Sequence, residues 1–399
     1  QYLYSLSMLA EGTTSFYLRF SDEGSAKSGL APTQTEVGPI YLMVDRNFPS
    51  VTETTLAGDV FRSALFSLGG TVSDTNALKS ILVTESKDGG TATTSLSQSL
   101  SGTSDSWNVA GMPNSGSADD GEYLYTITVT DGSDKETVLT RTVTIDTTGP
   151  LAPVVTNPAA DSWLNSSTFV FTGTASDGTG SGVSKVYYTE TLRGTGAPGP
   201  GDPAWLEGTV DGSGNWSASV SIAAPGEREL HLYSEDAAGN IGPVTTHNFG
   251  LDQTSPSLTV TGGTSATAFV NGDFVVDGSF ADASGIASIT VEESTDNVTF
   301  TATTPVPTFD NGAGSWSWTR PLGSQTDGVY YYRFSFTDNA GNSSQITKTV
   351  NLDRDLPTIT FDAASPSISF DGGAATATAN GTMSLSGSVV ENQGTGNLQ

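Results

Sequence analysis

Cysteine is absent from the 399 residues, histidine occurs twice, and basic side chains number 15 against 43 acidic ones. Each shortage closes a class of chemistry. Without cysteine there is no thiol nucleophile, no thiolate metal site and no inter-sheet disulfide, so every core must hold by packing. A formal net charge of −28 repels polyanions, and nucleic acid is not expected as a partner. No apolar run approaches the roughly 20 residues of a membrane span, and no signal-peptide pattern opens the sequence. His231 and His247 fall in strand-like stretches. His231 stands between Leu230 and Leu232 and is expected to face solvent, so neither reads as a positioned base. No glycine loop follows a strand and opens a helix, as phosphate binding would require. An enzyme is not expected.

Turn chemistry is what the sequence has in plenty. It holds 46 Gly and 18 Pro, with only 35% hydrophobic and 15% charged residues. This suits several small domains, each made of short strands joined by turns around a modest core. No amphipathic helix of useful length can be found.

An internal repeat organises the chain. A strand ending in a hydrophobic residue is followed by Asp, three variable residues and Pro. It appears at Asp45–Pro49, Asp146–Pro150, Asp252–Pro256 and Asp353–Pro357, so the prolines are 101, 106 and 101 residues apart. A glycine precedes an aspartate by ten residues in each copy: Gly12 and Asp22, Gly121 and Asp131, Gly226 and Asp236, Gly328 and Asp338. The strand between them alternates with period two, as in Tyr125, Ile127 and Val129 or Tyr332, Phe334 and Phe336. Earlier in the copies, Asp74, Asp177 and Asp282 each separate two strands, the second ending in Glu85, Glu190 or Glu293. The period is that of one β-sandwich. Complete domains are expected at 50–150, 151–256 and 257–357. Residues 1–49 read as the last strands of a preceding domain and 358–399 as the first strands of a following one.

The turns Asp236-Ala237-Ala238-Gly239-Asn240 and Asp338-Asn339-Ala340-Gly341-Asn342, with the strand end Val143-Thr144-Ile145-Asp146-Thr147-Thr148-Gly149-Pro150, resemble the bacterial immunoglobulin-like repeats of large surface adhesins. Asp131-Gly132-Ser133-Asp134 departs from the Ala-Gly-Asn turn. Asp22-Glu23-Gly24 does too, with an insertion of about eight residues before Asp45. The resemblance implies an all-β fold of tandem immunoglobulin-like β-sandwich domains in a linear array. It also implies a location outside the cell or on the bacterial surface, with calcium stiffening the joints of some members.

In such a sandwich the second and sixth inter-strand loops share the end where the chain enters. Three acids from distant parts of the sequence should therefore meet at each joint: Asp45, Asp74 and Asp131; Asp146, Asp177 and Asp236; Asp252, Asp282 and Asp338. Glu85, Glu190 and Glu293 should point to the exit end and could join Asp146, Asp252 and Asp353. Clustered carboxylates suit Ca²⁺, which takes 6–8 oxygens. Turn formation alone would place the same residues, because Asp caps backbone amides and Gly or Asn accepts a positive φ. Both readings stand on sequence.

Trp216 and Trp318 each precede the shared glycine by ten residues and read as equivalent core positions, with Trp316 on the same face as Trp318. Trp205 ends a Pro/Gly-rich loop unique to residues 151–256. Such an aromatic either packs back onto its domain or binds a ligand. Tyr123 and Tyr330 fit a tyrosine corner, a structural device. The expected function is a non-catalytic stalk or adhesin segment whose partners are neighbouring repeats and a host-cell, matrix or glycan ligand. The alternatives are an array of carbohydrate- or protein-binding modules and a filament subunit completed by strand complementation.

Overall fold

The computed structural model describes residues 9–21, 34–56, 60–113, 118–261 and 267–361, with short strands at 369–371, 374–376 and 387–390. Asp22, the insertion that follows it and most of 362–399 lie outside the described residues. Every regular element described is a strand, so the chain is all-β, as its period-two patterning predicts.

Three two-layer sandwiches follow one another. In the first, Ser50–Glu53, Phe66–Ser73 and Ser104–Met112 form one sheet. The other runs, in spatial order, Val60–Arg62, Glu136–Ile145, Gly121–Asp131, Leu78–Lys87 and Thr93–Ser99. The second and third sandwiches repeat this with a four-stranded and a five-stranded sheet each. Pairing is antiparallel except for one short strand per sandwich, such as Val60–Arg62, which runs parallel to the last strand. A two-stranded sheet precedes the three, Gly12–Ser21 with Gln34–Val44, and Thr358–Phe361 with Gly387–Val390 follows them.

The alternating strands supply the cores. Tyr125, Ile127 and Val129 are fully buried, as are Leu230 and Leu232, and Tyr332, Phe334 and Phe336. Each sandwich has its own hydrophobic cluster. Tyr123 and Tyr330 form the expected corners, their hydroxyls donating to the carbonyls of Asp119 and Thr326 four residues upstream.

One core device was not read from the sequence. Trp107, Trp216 and Trp316 stand directly opposite Gly70, Gly173 and Gly278. A Cβ on those glycines would lie 1.9, 1.9 and 2.0 Å from the carbonyl oxygens of Thr52, Val154 and Thr259. Only glycine lets the neighbouring strand approach, and at Gly173 and Gly278 it also lets the indole lie against the backbone. Trp316, not Trp318, is thus the counterpart of Trp216. Counting back from the shared glycine misplaces the pair by two residues. Four residues after each of these glycines stands Asp74, Asp177 or Asp282, so a Gly-x-x-x-Asp spacing marks both features.

His231 corrects the expectation of a solvated histidine, being 1% exposed. Its ring nitrogens lie 2.9 Å from the hydroxyls of Thr191 and Thr246, and burial pulls its pKa down despite the nearby Glu229. On the same strand, Tyr233 stacks on Tyr187 and meets the edge of Trp205 at 4.7 Å. Trp205 is 8% exposed, and its indole N–H donates to Gly199 O. The long loop packs back onto its own sandwich. That outward face is therefore partly roofed, which strand alternation alone cannot reveal.

Candidate metal centres at the joints

The acid ending the last strand of one repeat, the acid after the second main strand of the next sandwich and the acid opening that sandwich's last hairpin turn come together three times. Asp45, Asp74 and Asp131 form one cluster, Asp146, Asp177 and Asp236 a second, and Asp252, Asp282 and Asp338 a third. In each, the nearest carboxylate oxygens lie within 4.8 Å of one another. Asp131, Asp236 and Asp338 are almost fully buried, as are Asp146 and Asp252.

Local turn chemistry places each carboxylate. In the second joint, Asp146 accepts from the Thr148 amide and hydroxyl and, across the joint, from the Ser181 amide at 2.6 Å. Asp177 accepts from the Gly182 amide, and Asp236 from the Asn240 amide and side chain. The third joint repeats this: Asp252 accepts from Thr254 and Ser284, Asp282 from Ser284, and Asp338 from Ala340 and Asn342. Asn240 and Asn342 also donate to the carbonyls of Asp146 and Asp252, at 2.8 and 2.9 Å, and so tie adjacent sandwiches together.

These hydrogen bonds leave a deficit at the middle acid. Asp177 Oδ1 and Asp282 Oδ2 are buried and accept no hydrogen bond. Burial and the charges of Asp146 and Asp236 push the Asp177 carboxyl up, against the hydrogen bond from Gly182. Burial likewise raises Asp282, with Asp252 and Asp338 adding repulsion. The strand-end acids Asp146 and Asp252 go the other way. Burial would raise Asp146 and Asp252, but hydrogen bonds from Ser181 and Thr148, and from Thr254 and Ser284, outweigh it. An all-oxygen set, close-packed and with spare lone pairs, fits a hard divalent cation. Gly180 keeps the second site open: a Cβ there would come within 2.4 Å of Asp177 Oδ2 and 2.8 Å of Asp146 Oδ2.

The first joint differs in its electrostatics. Lys135 Nζ lies 2.8 Å from Asp131 Oδ2 and 3.2 Å from Asp45 Oδ1. Burial would raise Asp131, but hydrogen bonds from Lys135 and Ser133 hold it at about 2. Asp45 is lowered too, burial being outweighed by Lys135 and Asn76. Asp74 accepts from the Asn76 and Ala77 amides on one oxygen, and its other oxygen is buried without a hydrogen bond.

The glutamates correct the sequence expectation. Glu190 pairs with Arg228 at 3.0 Å, and Glu293 with Arg320 and Gln325 at 2.6 and 2.7 Å. Glu85 is 7% exposed and stands opposite Tyr125, whose hydroxyl it helps to push up after burial itself. Among the described residues none of the three joins Asp146, Asp252 or Asp353 in a cluster. The signal was present: Glu85 shares the parity of Ile81 and Val83, so it faces inward, and the same holds for Glu190 and Glu293. Asp353 accepts from the Asp355 amide and stands in no cluster among the described residues.

A further set of acids went unread. Glu11, Asp120 and Asp327 immediately precede the shared glycine. Each accepts the backbone amide that follows the strand-end acid, from Arg46, Thr147 or Arg354. Glu11 also accepts from Asn76 across the first joint. Pro225 occupies this position in the remaining copy.

Residues 237–354 match the family described as a bacterial Ig-like domain. A search of curated proteins finds no match. Among solved structures, the chain is similar to a tetra-tandem repeat in the extending region of a large adhesion protein, at 18% identity over 77% of each chain and TM-score 0.30. It is also similar to a 1.5-MDa bacterial ice-binding adhesin, at 18% identity over 77% of this chain and 98% of that one, TM-score 0.33. A third is a Ca²⁺-stabilized adhesin of an ice-binding Antarctic bacterium, at 20% identity over 85% and 81%, TM-score 0.31. The family match is to residues 237–354, and the two preceding sandwiches repeat the strand pairing and the motifs of the sandwich it covers.

Proposed function

We propose that this chain is a non-catalytic spacer of a bacterial surface or secreted adhesin, whose second and third joints are stiffened by Ca²⁺. On this reading the domains meet near residues 49, 150, 256 and 357, and neighbouring repeats are the first partners of each. The convergence of carboxylates from two successive sandwiches carries the reading. Asp146 belongs to one sandwich and Asp177 and Asp236 to the next, so an ion among them joins the two. Asp252 with Asp282 and Asp338 does the same. The orphaned oxygens of Asp177 and Asp282 supply ligands that no internal donor claims. Asn240 and Asn342 hold the strand-end carbonyls in place beside the site. Calcium would relieve the repulsion among three carboxylates and fix the angle of the joint.

Small-angle X-ray scattering in millimolar calcium and in excess chelator tests this. The expected result is a maximum dimension that stays long with calcium and shrinks or broadens without it. Superimposable curves, with no calcium bound in calorimetry, would refute the calcium joints.

A further inference from the structure

The three hairpin turns that begin at Asp131, Asp236 and Asp338 are equivalent. The amide of each acid donates to the carbonyl of the fourth residue on, which is Lys135, Asn240 or Asn342. That residue's amide returns to the acid's Oδ1. Where two turns carry a neutral amide, the first carries an ammonium.

The side chains address the same atoms. Asn240 Nδ2 donates to Asp146 O and Asp236 Oδ2, and Asn342 Nδ2 to Asp252 O and Asp338 Oδ2. Lys135 Nζ reaches Asp45 O at 3.4 Å and Asp131 Oδ2 at 2.8 Å. It then goes further, to Asp45 Oδ1 at 3.2 Å and to the Ser133 hydroxyl, which itself donates to Asp131. Lysine thus does the bridging of the asparagine and adds a positive charge among the carboxylates.

We infer that Lys135 is a tethered cation that takes the place of a metal ion at the first joint. This joint is then held without calcium, and the chain combines one metal-independent joint with two metal-dependent ones. The contrast rests on the calcium reading of the second and third joints; the tether does not. An ion coordinated at the 2.3–2.6 Å typical of calcium would need the oxygens that the ammonium engages, and two cations cannot share them. Asp74 keeps a spare oxygen, but three carboxylates facing one ammonium hold a cation less strongly than three facing none.

The sequence has no cysteine, so pairs of introduced cysteines can carry spin labels on exposed positions either side of each joint. Distance distributions are measured for the full chain in calcium and in chelator, with calcium stoichiometry from calorimetry. In the native sequence the first joint is expected to give the same narrow distribution in both buffers, while the second and third broaden in chelator. Lys135→Asn should broaden the first joint in chelator, restore it with calcium and raise the stoichiometry by one. Asn240→Lys should make the second joint insensitive to chelator and lower the stoichiometry by one. The inference is overturned if the native first joint broadens in chelator like the others, or if Lys135→Asn leaves it unchanged there. If calcium alters no joint at all, the calcium reading fails, yet broadening by Lys135→Asn in chelator still upholds the tether.

Discussion

The first joint and the two that follow it use the same three carboxylates in the same places, and they solve the resulting repulsion differently. In the first, Lys135 lowers the carboxyl groups it touches, and Asp131 is held at about 2. In the others the corresponding residue is Asn240 or Asn342, and the middle acids Asp177 and Asp282 are pushed up; a middle-acid oxygen without a hydrogen bond is common to all three joints. The fifth residue of each turn separates a joint that carries its own counter-charge from two in which a neutral amide stands there.

The largest effect that would sharpen this contrast is calcium removal. At a calcium concentration a hundredfold above the dissociation constant, each bound ion stabilises the folded state by about 2.7 kcal/mol. Calorimetric melting in calcium and in chelator should therefore show the second and third sandwiches, each supplying two acids to one of these joints, losing stability on that scale, and the first, which supplies only Asp146, losing least. A first sandwich that shifts equally would erase the distinction. Next in size is Gly180→Ala. Its Cβ would crowd Asp177 and Asp146, and overpacking of this kind costs about 1–3 kcal/mol. It should lower the melting temperature of the second sandwich in either buffer and remove one calcium from the stoichiometry.

Lys135→Met should destabilise the first sandwich by about 1–2 kcal/mol, because Asp131 and Asp45 lose a charged hydrogen-bond donor. Denaturant titration in chelator would read this directly, and the other sandwiches should not respond.

Acid titration gives the smallest and most diagnostic difference. The folded pKa of Asp131 lies below its unfolded value of about 3.9, so its contribution is complete above about pH 4 and is lost as pH falls towards about 2. Asp177 and Asp282 shift upward, so the metal-free fold holds their protons more tightly than the unfolded chain does. In chelator their sandwiches should gain stability as pH falls through those raised values and lose it as pH rises. In chelator, melting curves should thus show the second and third sandwiches gaining from these groups as pH falls towards about 4, and the first losing the Asp131 contribution below it.

Much of the fold was legible because strand alternation is a local property. Ile127 and Val129, or Phe334 and Phe336, announce a buried face two residues at a time. The acid triads were legible because the repeat set their register and the topology of a sandwich puts alternate loops at one end. Other positions were misread for identifiable reasons. The glutamates end their strands, a position that suggests the exit end, but their parity points them inward, Glu190 to Arg228 and Glu293 to Arg320. The strand that carries His231 shows only its alternation with Leu230 and Leu232, whereas Thr191 and Thr246 on the two flanking strands engage its ring nitrogens.

The sequence by itself determined the all-β class, the repeat and which acids share a register, because these follow from residue type and spacing along one chain. Only the tertiary structure decided what stands beside each acid. Asp45 and Lys135 are 90 residues apart, as are Asp252 and Asn342, and nothing local says that either side chain meets that acid. The charge balance of a joint is a sum over groups that meet only when two sandwiches fold and dock, and that sum separates the first joint from the rest.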